Sequence, residues 1–434
     1  MNKVIVIGGG ASGMMSAISA AQSSAEVIIL EHKDRIGKKI LSTGNGHCNF
    51  TNSVQNPTCY RGENSEFPWK VFPQFSLADT MAFFRKLGIY IKNRNGCQYP
   101  YSNQASAILD VLRMELERLK VHVETCVKPE RIIAENGKFR IITKQHAEKC
   151  DESKHQGDIS ESCQNETKEQ TWNADRVILA TGSKAAPHTG SDGSGYALAK
   201  ELGHHLVPVV PALVQLRCKE DFYKSLSGVR LQGRISLLID GEIIAQDTGE
   251  IQMTDYGLSG IPVFQVSRYA AVGIYHHQKV TAILDFIPDM DLKQVLAFLK
   301  TRISAFPERK MERFFTGLFH KKMALLLLKR SKIDPQMEAG NLTESQLLQL
   351  LKNIKHFHTV IERTNSFDKA QICAGGICTN EVCAETLESK IVPGLYFAGE
   401  ILDVDGICGG YNLQWAWSSG FVAGREAACY KSAN

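Results

Sequence analysis

At 434 residues the chain is long enough for two or three domains with ample core. Its 43% hydrophobic and 22% charged residues are ordinary for a soluble globular protein. A net charge of +4, with no basic tract interleaved with aromatics, argues against a nucleic-acid partner, and no apolar run reaches the length of a membrane span.

The start of the chain, Met1-Asn2-Lys3, leads into a strand with no cleavage site, so a cytoplasmic protein is expected. Val4 to Ile7 is short, β-branched and uniformly apolar, the pattern of a parallel strand buried on both faces. Gly8, Gly10 and Gly13 follow in G-x-G-x-x-G spacing, and Ser12 to Ala21 reads as a helix. Gly8 permits the tight turn, Gly10 lets a pyrophosphate approach the backbone, and Gly13 lets helix lie close to strand. Free N–H groups and partial positive charge at the helix start suit phosphates. A second strand, Val27 to Leu30, ends in Glu31, where a carboxylate can accept from ribose hydroxyls. Strand, glycine turn, helix, strand and acid in that order specify a dinucleotide site.

Lys38 to Asn52 (KKILSTGNGHCNFTN) is too polar and glycine-rich for a core element. Gly44 and Gly46 permit close backbone approach, and Thr43, Asn45, Asn49 and Asn52 can read the edge of a flat heterocycle. The alternative is an asparagine-rich turn that satisfies its own backbone. Ser76 to Gly88 is a capped helix with a glycine stop, and Ile108, Leu109, Leu112, Leu116 and Leu119 mark another helix. Val121 to Val127 and Phe139 to Thr143 read as strands, with Val127 at a strand end suited to an adenine. Gln145 to Trp172 turns polar and charged, a mobile surface excursion with Cys150 and Cys163 as exposed thiols. Arg176 to Gly182 (RVILATG) is again a buried strand ending in a small-residue turn, at the ligand edge of an open sheet. The glycines between Thr189 and Ala197 follow no suitable strand and make no second fingerprint.

Val207 to Phe286 is β-rich, with a hairpin about Asp240-Gly241 and further strands at Glu250 to Met253 and Lys279 to Phe286. From Asp291 to Ile354 the period is helical, including a capping box of Thr343 with Gln346; Phe357 to Arg363 returns to strand. Near the end, LYFAGE is a buried strand ending in Gly399 and Glu400, suited to a second ribityl or ribose hydroxyl contact, and Gly409-Gly410-Tyr411-Asn412 opens a small-residue helix. The positive end of that helix can meet a ring carbonyl carrying negative charge. The two ends of the chain would therefore build one nucleotide site, with the middle inserted. Twelve cysteines need no disulfide framework in a chain this long. Cys373, Cys378 and Cys383 are spaced by fives, which fits no zinc or iron–sulfur pattern, so free thiols and no metal are expected.

On VIVIGGGASG, KKILSTGNGHCNFTN, VILATGS and LYFAGEILDVDGICGGYNLQWAWSSG the chain resembles, over essentially its full length, the HI0933-like family of FAD-dependent oxidoreductases. The resemblance implies an α/β fold: a two-part Rossmann-type FAD-binding domain (1–189 and 369–434), a β-barrel-like insert (190–290 and 355–368) and a small helical insert (291–354). It implies FAD contacts at Gly8, Gly10, Ser12, Gly13, Glu31, Lys39, Thr43, Gly44, Val127, Thr181, Gly182, Gly399, Glu400, Asn412 and Leu413. The family usually has Arg where this chain has His47, which makes a charge near the flavin pH-dependent or removes it. Similar proteins reduce C=C bonds of 3-oxo bile acids or oxidise aminoacetone-type amines. The first chemistry is favoured here, with NAD(P)H docking transiently as electron donor because there is one dinucleotide fingerprint. Tyr411 is the candidate to polarise the substrate carbonyl or protonate carbon. The expected partner is a small-molecule substrate; the oligomeric state is not legible.

Overall fold

The computed structural model describes residues 2–145 and 168–429. The chain divides into two units, residues 1–209 with 372–434, and residues 210–371. The first unit is built on a five-stranded parallel sheet in the order Leu395–Phe397, Arg176–Leu179, Lys3–Ile7, Glu26–Leu30, His122–Glu124. Ile5 lies between Val177 and Ile28, and all three are buried, as the uninterrupted apolar runs require of strands covered on both faces. Because the strands run one way, Gly8, Glu31, Ala180 and Ala398 all emerge at the same edge.

The stretch expected as one strand from Val121 to Val127 is two. The backbone turns at Cys126 (φ 58°), whose N–H donates to the Lys33 carbonyl, and Val127–Glu135 then starts a separate antiparallel sheet with Lys138–Gln145 and Lys168–Ala174. Trp172, expected in a surface excursion, belongs to that third strand and donates from Nε1 to Thr143 Oγ1 at 3.2 Å. Residues 146–167 of that polar stretch, with Cys150 and Cys163, lie outside the described residues.

The helices Ala11–Gln22 and Tyr411–Cys429, from opposite ends of the chain, touch backbone to backbone. A Cβ on Gly420 would stand 2.6 Å from the Ser12 carbonyl oxygen, and one on Gly424 would stand 2.1 Å from that of Ser16. Ser19 Oγ adds a 2.7 Å hydrogen bond to the Phe421 carbonyl. Beyond this seam Trp417 packs edge-on to Phe84 at 5.2 Å and donates to the Phe50 carbonyl at 2.9 Å. Phe84 sits on the helix Leu77–Lys86, which carries the expected capping box of Ser76 and Asp79.

The second unit is a closed barrel of six antiparallel strands in the order Leu216–Cys218, Gly257–Ser259, Glu242–Met253, Arg230–Ile239, Val280–Asp285, Phe357–Thr364. The hairpin at Asp240-Gly241 is present, but Glu250 to Met253 is the end of its long second strand rather than a strand of its own. Sequence periodicity missed the helix Ile261–Tyr275. Its β-branched and aromatic residues favour strand locally; burial of Val263, Val266 and Ala270 in the barrel's core overrides that preference. The helices Leu292–Ala305 and Glu344–Lys355 begin in capping boxes, Asp291 with Gln294 and Thr343 with Gln346, and share one hydrophobic core with the barrel. Among the described residues no helix is long and apolar enough to cross a membrane, and no group of His, Cys, Asp and Glu could hold a metal ion.

Gly424→Val drives carbon into backbone at the helix seam and is expected to lower stability by about 3 kcal/mol or more. Ser76→Ala loses only a cap and is expected to cost about 1 kcal/mol. Urea unfolding followed by tryptophan fluorescence separates the two.

Candidate active site

The sheet edge is shaped by contacts that only hydrogen can make. Gly8 has φ 105°, and a Cβ there would stand 2.5 Å from the Ala180 carbonyl oxygen; one on Gly13 would stand 1.8 Å from the Gly8 oxygen. Gly399, at the end of the Leu395–Phe397 strand, would set a Cβ 2.4 Å from Ser12 Oγ. Gly10 differs: no atom lies within 4 Å of its Cβ position. The helix it precedes has neither a side-chain cap nor an acid in its first turn, so its positive end faces open space.

Glu31 closes one side. Its Oε2 accepts from Gly9 N and its Oε1 from Lys33 N, each at 2.8 Å, while its main-chain oxygen accepts from Val127 N at 3.0 Å. The expected acid and the expected strand end are thus neighbours. His32 Nδ1 lies 3.2 Å from Glu31 Oε1; burial lowers the imidazole pKa against the pull of that carboxylate, and His32 Nε2 is buried without a partner. On the facing side Gly182 (φ 72°) follows Thr181, whose Oγ1 is 1.9 Å from where a Gly195 Cβ would be.

Elsewhere the structure spends expected ligand atoms on the protein itself. Lys39 Nζ and Glu400 Oε2 form a 2.7 Å ion pair, and Glu400 Oε1 accepts from Cys373 N at 3.1 Å. The Asn412 amide is used twice on Gly406, accepting at 2.8 Å and donating at 2.9 Å. What the Tyr411–Cys429 helix start presents is therefore main chain, at Asn412 and Leu413. Thr43 Oγ1 donates to the Ile40 carbonyl at 2.6 Å, and Gly44 (φ 55°) sits beside Asn49 N. Asn49 and Asn52, expected to read a heterocycle edge, bond to main chain of the protein: Asn49 Oδ1 accepts from Gln98 N, while Asn52 accepts from Val54 N and donates to the Gly409 carbonyl at 2.9 Å. Cys48 and Phe50 are fully buried, so the stretch expected to stay out of the core is pinned to the start of the last helix. His47 is exposed, with Nδ1 2.8 Å from the Asn103 carbonyl.

Tyr411 is 5% exposed, edge-on to Tyr60 at 5.8 Å. Burial first, and then its hydrogen bond with Cys59, push the phenol well above its ordinary range. The Cys59 thiol donates in turn to Asn56 Oδ1 at 3.4 Å. Sequence reading did not link these residues, because they meet only through tertiary pairing: Tyr60 with Gly406, Arg61 with Asp405, and Ile407 N on the Cys59 carbonyl. It also saw no Ser/His/acid row, yet one exists: Ser389 Oγ lies 2.8 Å from His204 Nε2, and His204 Nδ1 lies 3.1 Å from Glu381. Ser389 Oγ is capped by the N–H groups of Ile391 and Val392 and buried, so the row is structural and offers no accessible nucleophile.

A family model for the HI0933-like protein Rossmann domain matches residues 2–426. The chain belongs to the HI0933-like family of FAD-dependent oxidoreductases. It is 46% identical over 430 residues to a 3-dehydro-bile acid delta(4,6)-reductase of Clostridium scindens, covering 99% of each protein. Identity to a ribosomal RNA dihydrouridine synthase of Escherichia coli is 28% over 432 residues, covering 99% of this chain and 98% of that one. Among solved structures, a 3-ketosteroid delta1-dehydrogenase from Sterolibacterium denitrificans aligns over 99% of this chain and 100% of that one, with a TM-score of 0.51 and 13% identity. That likeness is one of fold. The residues fit the family's cofactor: a hydrogen-only cradle, an uncapped helix start, a fixed carboxylate and an orphaned imidazole N beside it.

Gly10→Ala fills only open space, so the apoprotein should melt as wild type does while FAD affinity falls about tenfold or more, roughly 1.4 kcal/mol. The flavin-to-protein absorbance ratio after desalting, set beside the melting temperature of the apo form, reads both.

Proposed function

We propose that the enzyme reduces the C=C bond of a 3-oxo-Δ4 steroid or bile-acid-type enone, with NAD(P)H as donor. The net reaction is enone plus NAD(P)H plus a proton giving the saturated ketone and NAD(P)+. The observation that carries this reading is the end-to-end 46% identity to a reductase named for such a substrate, against 28% to the Escherichia coli enzyme named for RNA. FAD is proposed to be held by Gly8, Gly10, Ser12, Gly13, Glu31, Lys39, Thr43, Gly44, Val127, Thr181, Gly182, Gly399, Glu400, Asn412 and Leu413. Their shares differ: glycine main chain and helix starts take phosphate and ring carbonyl, and Glu31 takes ribose. Lys39 and Glu400 act as a pair that sets the edge of the site.

Bound FAD supplies hydride transfer through N5. The chain's own contribution is a proton and an orientation. Tyr411 is neutral at physiological pH, as an ordinary phenol is, and its surroundings disfavour the phenolate further. Its O–H is then available to hold the enone carbonyl or to protonate the adjacent carbon, and Cys59 and Asn56 keep it oriented between turnovers.

Mixing the holoenzyme anaerobically with NADH or NADPH should bleach the flavin, and a 3-oxo-Δ4 bile acid should restore the colour quickly. Bleaching by aminoacetone without a nicotinamide, with peroxide formed in air, would replace this reading by amine oxidation. Reoxidation by an RNA transcript and not by the steroid would replace it by uridine reduction. Tyr411→Phe is expected to slow reoxidation by the enone about a hundredfold while the rate of bleaching is unchanged. In the wild type that reoxidation should show no loss from phenol ionisation up to about pH 10, since the folded-state pKa is raised.

A further inference from the structure

The face that carries the Thr43–Gly46 turn also carries a hairpin that the proposed chemistry leaves unused. Ile91–Arg94 pairs with Cys97–Pro100, and Thr51–Asn52 pairs with Cys97 and Gln98 as a third strand. At its open end stand Tyr90 and Tyr101, 74% and 60% exposed, with ring centroids 5.0 Å apart. Lys92 Nζ lies 5.7 Å from the Tyr101 ring centre, and the Arg94 guanidinium lies 5.4 Å from that of Tyr99. Arg94 Nη2 donates to Asn103 Oδ1 at 2.7 Å, and the Asn103 carbonyl meets His47. Tyr99 comes within 3.7 Å of a Gly44 Cβ position, so the hairpin adjoins the turn. Charge is one-sided here. Between Asp79 and Asp110 there is no carboxylate but there are Arg85, Lys86, Lys92 and Arg94, and between Asp34 and Glu63 there is none either. Although sequence reading found no basic stretch with aromatics among it, the alternation Tyr90-Lys92-Arg94 facing Tyr99-Tyr101 is one.

We propose that this hairpin binds the adenosine-diphosphate half of the nicotinamide dinucleotide donor, the base stacking on Tyr90 and Tyr101 and the phosphates held by Lys92 and Arg94. The inference rests on the reading of NAD(P)H as donor. Two large rings left in water beside two cations, on a hairpin that itself carries no carboxylate, are complementary to one heterocycle and its phosphates. Base stacking on an aromatic ring is strong enough to hold a ligand that binds and leaves in every cycle. A nucleic-acid strand calls for a longer track of phosphate contacts than two side chains give. The glycine fingerprint at Gly8 to Gly13 belongs to the resident cofactor, so the donor's adenosine needs a different place.

The test titrates holoenzyme with ADP-ribose and with its 2′-phosphorylated form, neither of which can donate hydride, and in parallel with a short single-stranded RNA. Y90A/Y101A should raise the Kd for ADP-ribose at least tenfold, and Tyr→Phe at both positions should restore it. Dithionite-reduced Y90A/Y101A should be reoxidised by the enone at the wild-type rate, with flavin spectrum and melting temperature unchanged. Tighter binding of the 2′-phosphorylated fragment that is lost in K92A assigns NADPH, and equal binding assigns NADH. Unchanged fragment affinity in Y90A/Y101A overturns the proposal. So does a wild type that binds neither fragment, or a loss confined to RNA. Failure of reduced wild type to react with the enone counts instead against the proposed substrate, because fragment binding is read without it.

Discussion

Two helices from opposite ends of the chain lie in direct backbone contact, and the candidate active site exists because they do. Gly420 and Gly424 remove the side chains that would hold Tyr411–Cys429 away from Ala11–Gln22. Once the helices meet, Gly399 closes on Ser12, the Leu395–Phe397 strand completes the parallel sheet, and the segment before the last helix, Gly409 and Gly410, sits beside Asn49, Thr51 and Asn52. Any side chain larger than hydrogen along that seam shifts the two halves of the site together. The site is a consequence of close packing first and of ligand chemistry second.

Its electrostatics follow the same economy. Near the glycine turn Glu31 is tied to two N–H groups, Glu400 is paired with Lys39, and the first turn of the first helix has no acid. The positive potential that remains is that of helix starts and main-chain N–H groups, which are held rigidly and need no reorganisation when an anion arrives. Tyr411 belongs to this arrangement as a buried neutral donor, held between Tyr60 and Cys59. Around it the carboxylate-free hairpin extends the same bias to the surface.

Close sequence pattern and true packing agree where one face or one turn decides. The Val4 to Gly13 strand and turn, the capping boxes at Ser76 and Thr343 and the hairpin at Asp240-Gly241 are all as read, because each depends on residues within a few positions. The helix Ile261–Tyr275 was hidden because its apolar residues suit either period, and only the barrel wall they cover selects the helix. Phe50 reads as part of a polar loop because its contacts come from Phe84 and Trp417, both distant in sequence. Asn49, Asn52 and Asn412 have ligand-like side chains, but each closes a main-chain gap left by a neighbouring segment.

By itself the sequence determined the family, the dinucleotide turn, the α/β class and the joining of the two chain ends, since glycine spacing and buried strands are local statements about backbone geometry. Tertiary structure alone decided which polar atoms remain free. That outcome depends on partners hundreds of residues apart, as with Lys39 and Glu400, Thr51 and Gln414, or Cys59 beside Tyr411. A hydrogen bond needs donor and acceptor within about 3 Å, and residue order does not encode that distance until the chain has closed.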